Sequence, residues 1–208
     1  MLELWLIRHG QSTWNAERRI QGISDPPLSE LGRSQARKLA DRLADTAFDQ
    51  VYASDLGRAI DTARLALPGR AGVVVADLRL REIHLGHFEG RLLGELSDEE
   101  VAEFEIWYRG PFDRKVTGGE SSDELRARVG NWLDELPDVG RVAAFSHGGA
   151  IGAMLQYFLG RPGIGAFTWG VRIRNTAITR VLIDRTTVIL DVVNDTAHLE
   201  TIAPSIER

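Results

Sequence analysis

Two short apolar runs in this chain end alike: Leu2 to Ile7 leads into Arg8-His9-Gly10, and Arg141 to Ser146 leads into His147-Gly148-Gly149. Continuous apolar runs of this length read as strands buried on both faces. Each is followed by a turn toward helix, and strands that alternate with helices predict an α/β fold on a parallel sheet. Open sheets of that kind place their ligand crevice at the carboxyl ends of the strands. If the two strands are parallel neighbours, His9 and His147 face one crevice. The start of the helix after His147 then offers N–H groups and a positive dipole end to an anion.

The pattern between these points is consistent with that architecture. Ser29 suits the N-cap of a helix to about Leu43, with Leu31, Ala36, Leu39, Ala40 and Leu43 on one stripe. A strand at Gln50 to Ala53, a helix from Leu56 to Leu67 stopped by Pro68-Gly69, and a short strand from Gly72 to Ala76 follow. From about Leu85 to Gly119 the pattern loosens around one helix, Asp98 to Tyr108, and predicts a cap over the crevice. Ser121 or Ser122 caps a further helix running up to Pro137, with Leu125, Val129, Trp132, Leu133 and Leu136 on one face. Strands at Ala177 to Ile183 and Thr187 to Val193 form a hairpin whose edge offers pairing to a second copy of the chain. The polar tail after His198 is expected to fray.

Composition narrows the chemistry. The 208 residues suit one domain spanning the chain, with a small insertion at about 83 to 120. A net charge of -5 argues against a nucleic-acid surface, so attraction for an anion has to come from a local arginine cluster. The absence of cysteine removes disulfides, thiolate nucleophiles and cysteine-ligated metals, and fits a cytoplasmic setting. The first residues lack a basic, then apolar leader pattern and no apolar run reaches about 18 residues, so neither a leader peptide nor a membrane span is expected.

Arg8-His9-Gly10 with Trp14-Asn15, Arg19, Gln21-Gly22 and Asp25 resembles the signature of the histidine phosphatase superfamily, the phosphoglycerate mutase-like proteins. Ser54-Asp55-Leu56-Gly57-Arg58-Ala59, Leu80-Arg81-Glu82, Gly118-Gly119-Glu120-Ser121 and Ser146-His147-Gly148-Gly149 continue it in the family's order, over residues 4 to about 160. The resemblance implies a three-layer α/β/α sandwich with a mostly parallel central sheet. It implies that His9 is the nucleophile and becomes a phosphohistidine. Arg8, Arg58, a protonated His147 and Asn15 would hold the phosphoryl oxygens, with Gln21, Gly22 and Gly148 beside them, and Glu82 would be the acid and then the base. Two guanidinium groups and an imidazolium take the charge-neutralising task otherwise given to magnesium, so neither metal nor cofactor is expected. The expected partner is a small phosphorylated metabolite.

Each residue also has a plainer reading. His9 alone reads as a partly buried strand-end histidine, Arg8 and Arg58 as surface ion-pair partners, and Asn15 and Gln21-Gly22 as turn formers. Glu89 and Glu95 compete with Glu82 for the acid. His84 and His87 raise a metal site, against which Gly86 between them argues. Trp107, Tyr108, Phe112, Phe167 and Trp169 read first as core aromatics, some of them as walls of a pocket. Mutases of the family carry Glu-Arg-His-Tyr-Gly at the acid and a longer insertion after it. This chain has Glu82-Ile83-His84-Leu85-Gly86 and a short cap, which points to the phosphatase branch. A phosphoglycerate mutase and a catalytically silent phospho-ligand binding module are the alternatives.

Overall fold

A computed structural model of the chain describes residues 1–69, 73–109, 113–160 and 171–200, and the side chains of 108 and 109 are not described. Gly72 of the expected third strand, Phe112, Phe167, Trp169 and the tail from 201 onward lie outside the described residues.

Among the described residues six strands make one sheet: β1 (Leu2–Arg8), β2 (Gln50–Ala53), β3 (Val74–Ala76), β4 (Gly140–Ser146), β5 (Ile178–Ile183) and β6 (Val188–Asp195), in the order β3-β2-β4-β1-β5-β6. The pairs β3/β2, β2/β4 and β4/β1 are parallel, while β5 and β6 join antiparallel. Among the described residues six α-helices accompany them: α1 (Thr13–Glu17), α2 (Glu30–Leu43), α3 (Gly57–Ala66), α4 (Asp98–Arg109), α5 (Ser122–Leu133) and α6 (Gly148–Leu159).

Side chains of a strand alternate between faces, and that alternation builds the layers. Leu4 and Leu6 of β1 join Val142 and Ala144 of β4 under α5 and α6. Trp5, Ile7, Ala143 and Phe145 face the other way, against Leu39 and Leu43 of α2 and Ala63 and Ala66 of α3. The three-layer α/β/α expectation is therefore met. Among the described residues no helix is long and apolar enough to cross a membrane.

Local differences from the sequence reading have physical causes. Helix α1 was not anticipated because it is too short to show periodicity. A reciprocal cap makes it, Ser12 accepting from the Asn15 N–H while Asn15 accepts from Ser12. Helix α5 stops at Leu133 and not near Leu136: Asp134 caps it, and Glu135 and Leu136 make only tighter bonds, back to Trp132 O and Leu133 O, in a turn that leads into Pro137. The last strand runs to Asp195 and not Val193, and the helix expected from Leu56 begins at Gly57.

The parallel register sets Arg8 opposite Ser146, which brings His9 and His147 out of the sheet side by side. The turn after His9 then lies against the first turn of α2. A Cβ at Gly32 would stand 2.0 Å from the Gln11 carbonyl oxygen, and one at Gly10 2.6 Å from the Gly32 oxygen. Both obstacles are backbone. Gly32→Ala is therefore expected to destabilise by about 2 to 3 kcal/mol and to lower Tm by about 5 to 10 °C in thermal unfolding; an unchanged Tm would refute this close approach.

Candidate active site

His9 leaves β1 with its backbone held on three sides. Its N–H donates to Ser146 O at 2.9 Å, and its carbonyl accepts from Asn175 Nδ2 at 3.0 Å and from the Thr176 N–H at 3.3 Å. The ring is buried, and Nδ1 lies 2.6 Å from the Gly10 carbonyl. A carbonyl only accepts, so Nδ1 carries the proton and Nε2 is left with its lone pair. The Gly10 N–H donates to Thr62 Oγ1 at 3.0 Å, which ties this turn to α3.

Around His9 stand groups with unspent donors. The His147 ring centroid lies 5.1 Å from that of His9. Both ring nitrogens of His147 and Nε of Arg8 are buried without a protein partner among the described residues. Arg8 is held by one Nη1 hydrogen bond to Ile173 O at 2.7 Å. Buried polar nitrogens without partners are costly, and Arg8 Nε together with the one N–H of the His147 ring leaves donors for an anion beside His9.

Arg58, fully buried on α3, is fixed by a cage of acceptors. Its Nη1 reaches Ser24 O at 2.6 Å and Asp25 Oδ1 at 3.4 Å, and its Nη2 reaches Gly22 O at 2.8 Å. Asp25 also accepts from the Gly57 N–H at 2.6 Å, at the head of that helix. Gln21, read from sequence as a phosphate contact, has its amide engaged within the protein: its NH2 donates to Ser12 Oγ and its oxygen accepts from Arg58 Nε. Gly22, at φ +57, supplies a carbonyl to Arg58 and leaves room for Glu89, whose Oε1 would be 2.0 Å from a Cβ there. Both residues build the Arg58 cage. Asn15 spends its oxygen on Ser12 N and Asn175 Nδ2, which leaves donation to its Nδ2.

The three candidate acids separate clearly. Glu89 accepts from Ile23 N, Ser24 N and Leu85 N, pinning the loop between α1 and α2 to the segment after Glu82, so it is a structural clamp. Glu95 is exposed at the end of a single 3-10 turn, Leu93–Glu95. Glu82 reaches the crevice, accepting from Gly149 N at 3.0 Å, Ala150 N at 3.1 Å and Ile83 N at 2.9 Å. It thus occupies N–H groups at the start of α6 that the sequence reading offered to an anion. Gly148, one position earlier, lies against Arg8, whose Nε would be 3.6 Å from a Cβ there. His84 and His87 do not converge: one ring lies 3.7 Å from Glu89, the other 3.5 Å from Glu103.

Electrostatics sets the resting protonation of both imidazoles. Burial, then the charges of Arg58, His9, Arg8 and Arg128, hold His147 well below the usual histidine range, so the imidazole is neutral and not protonated. Burial and the flanking Arg8 and Arg58 do the same to His9, only partly opposed by Gly10 O, which keeps its Nε2 nucleophilic. Arg58 is drawn down to about 10, chiefly by burial, and stays charged at neutral pH.

Neutral buried histidines make stability pH-dependent with a definite sign. The unfolded chain takes up protons below about pH 6.5 while the folded one does not, so stability is full above that pH and falls as pH drops through and below it. His198, half-buried, shifts the same way. Tm is expected to fall between pH 7.5 and 5, and added phosphate, which favours both protonated imidazoles, to raise Tm more at pH 5.5 than at 7.5. A flat profile, or a rise on acidification, would contradict the neutral pair.

Two contributors carried no sequence signal. Asn175, in the segment before β5, joins the His9 carbonyl to Asn15. Arg128, on α5, binds the chain on both sides of Glu82.

Comparison with known proteins agrees with this geometry. The sequence profile of the Histidine phosphatase superfamily (branch 1) matches residues 4–196. A probable phosphoglycerate mutase GpmB from Enterobacter sp. (strain 638) is 39% identical over 184 residues, 87% of this chain and 85% of the relative. YhfR of Bacillus stearothermophilus superposes with a TM-score of 0.85 at 31% identity, covering 96% of this chain and 100% of that one. The α-ribazole phosphatase of Shigella flexneri superposes with a TM-score of 0.82 at 28% identity, covering 93% and 96%.

Proposed function

The chain belongs to branch 1 of the histidine phosphatase superfamily, and within it we propose a metal-independent phosphatase that hydrolyses small phosphomonoesters through a phosphohistidine. The observation that carries this reading is His9, its tautomer set by Gly10 O, facing the unpartnered nitrogens of Arg8 and His147.

The chemistry runs in two displacements. His9 Nε2 attacks phosphorus in line, the ester P–O bond breaks, and Glu82 delivers a proton to the leaving oxygen. Water then attacks phosphorus, the N–P bond breaks, and Glu82 takes the water's proton. Arg8, Arg58, Asn15 and His147 hold the phosphoryl oxygens throughout, where fixed donors stabilise charge that spreads in the transition state. The dianion itself supplies the charge that draws a proton onto His147.

A mutase reading is supported by relatives that carry that name. Against it stands the span after the acid: Ile83 and Leu85, at the positions where mutases of the family have Arg and Tyr, are buried in the core. They offer the crevice neither a cation nor a hydroxyl to retain a second anionic group. The cap at about 83–120 then shapes a pocket open to water, and the partner is a small phosphorylated metabolite in the cytoplasm.

The experiment is phosphate release from a panel of phosphomonoesters in EDTA, with 3-phosphoglycerate scored for isomerisation as well. Release in EDTA with inhibition by vanadate is expected. Isomerisation without release would make it a mutase, loss of release in EDTA a metal-dependent hydrolase, and saturable phosphate binding without turnover a binding module.

A further inference from the structure

Glu82 sits on a span, residues 81–85, that belongs to no helix or strand. Leu80 and Ile83 anchor it by burial on either side. Packing of that kind fixes where the chain passes but not which way the intervening peptides face. Beside the span lies an open cleft of about 450 Å³ whose lining includes Arg81 and His84 of the span together with Glu120 and Arg128.

Arg128 bridges this gap from α5. Its Nη1 donates to Arg79 O at 2.8 Å and Arg81 O at 3.1 Å, and its Nη2 to Glu82 O at 3.3 Å. The other face of the guanidinium is itself clamped, Nε to Glu120 Oε1 at 2.9 Å and Nη2 to Glu120 Oε2 at 2.8 Å. All five N–H bonds are thereby used, which is the full inventory of an arginine. Glu120 closes the far side, its N–H donating to His84 O at 2.8 Å and its Oε2 accepting from the His84 N–H at 3.4 Å. The chain is thus held immediately before, at and two residues after Glu82.

We propose that Arg128, backed by Glu120, is a positioning residue for proton transfer: it orients the peptide of Glu82 so that the carboxyl group meets the leaving oxygen. This rests on the reading of Glu82 as the acid. Lysine cannot substitute, because three donors on a flexible stem match neither the three carbonyls nor the two-pronged contact with Glu120. Charge alone would survive the exchange; orientation would not.

The test is the dependence of kcat/KM on the leaving group, from aryl to alkyl phosphates, in wild type, Glu82→Gln and Arg128→Lys, with vanadate affinity measured alongside. Arg128→Lys is expected to lower kcat/KM for alkyl phosphates about 10- to 100-fold and for aryl phosphates less than about 5-fold. Vanadate affinity should stay within about threefold, since Arg128 donates to none of its expected ligands Arg8, Arg58, His9 and His147. Glu120→Gln, which keeps the side chain's shape but weakens the clamp, should shift the same ratio by a smaller factor and serves if Arg128→Lys fails to fold. Equal losses on both ester classes, or an unchanged ratio, would overturn the positioning role while Glu82→Gln still discriminates. If Glu82→Gln itself does not discriminate, the acid assignment falls and the positioning role with it.

Discussion

His9→Ala is expected to lower phosphate release by at least about three orders of magnitude while leaving the fold in place. The side chain makes one hydrogen bond, to the adjacent Gly10 carbonyl, whereas the backbone is held through Ser146, Asn175 and Thr176. Removing the ring deletes the atom that accepts the phosphoryl group and disturbs none of those anchors. It also removes a desolvated titratable group, so the variant should lose less stability than wild type below about pH 6.5. Phosphate release together with circular dichroism checks both halves. Residual turnover above about a tenth of wild type, in a folded variant, would end the nucleophile assignment.

Glu82→Gln is expected to cost about 100- to 1000-fold on alkyl phosphates and about tenfold or less on aryl phosphates. An alkoxide leaves only with a proton, while a phenolate of low basicity leaves without one. The variant is nearly isosteric, yet one amide end must face the N–H groups of Gly149 and Ala150 that the carboxylate now accepts from. Some displacement follows, which is why the ratio between ester classes is the informative quantity and not the absolute loss. Steady-state kinetics on paired esters decides: equal losses would assign Glu82 to structure.

How far such a site can be read from sequence depends on how local its causes are. His9 and His147 were placed together correctly because a buried run followed by a histidine and a glycine turn marks a strand end, and parallel neighbours align those ends. The lowered proton affinity of resting His147 is not readable in the sequence, since it follows from complete burial beside Arg58 and Arg8, which only the folded arrangement creates. Gln21 reads as a ligand contact because an amide in a glycine turn shows no preference between a phosphate and an arginine; only the fold shows its amide between Ser12 and Arg58. Arg128 lies between Leu125 and Val129 on α5 and has the signature of a solvated helix position, while its partners Arg79, Arg81 and Glu82 lie more than forty residues earlier. Long-range side-chain to carbonyl bonds leave no periodic trace.

The most direct test is to trap the covalent intermediate. Enzyme mixed briefly with a phosphoryl-labelled monoester in EDTA and quenched in alkali is expected to carry the label on the peptide containing His9, stable to alkali and lost in acid as an N-phosphoryl bond requires. The label should be absent from His9→Ala and accumulate in Glu82→Gln with an aryl phosphate, because water then lacks its base. Turnover without any labelled enzyme, or label on a residue other than His9, would contradict a phosphohistidine mechanism.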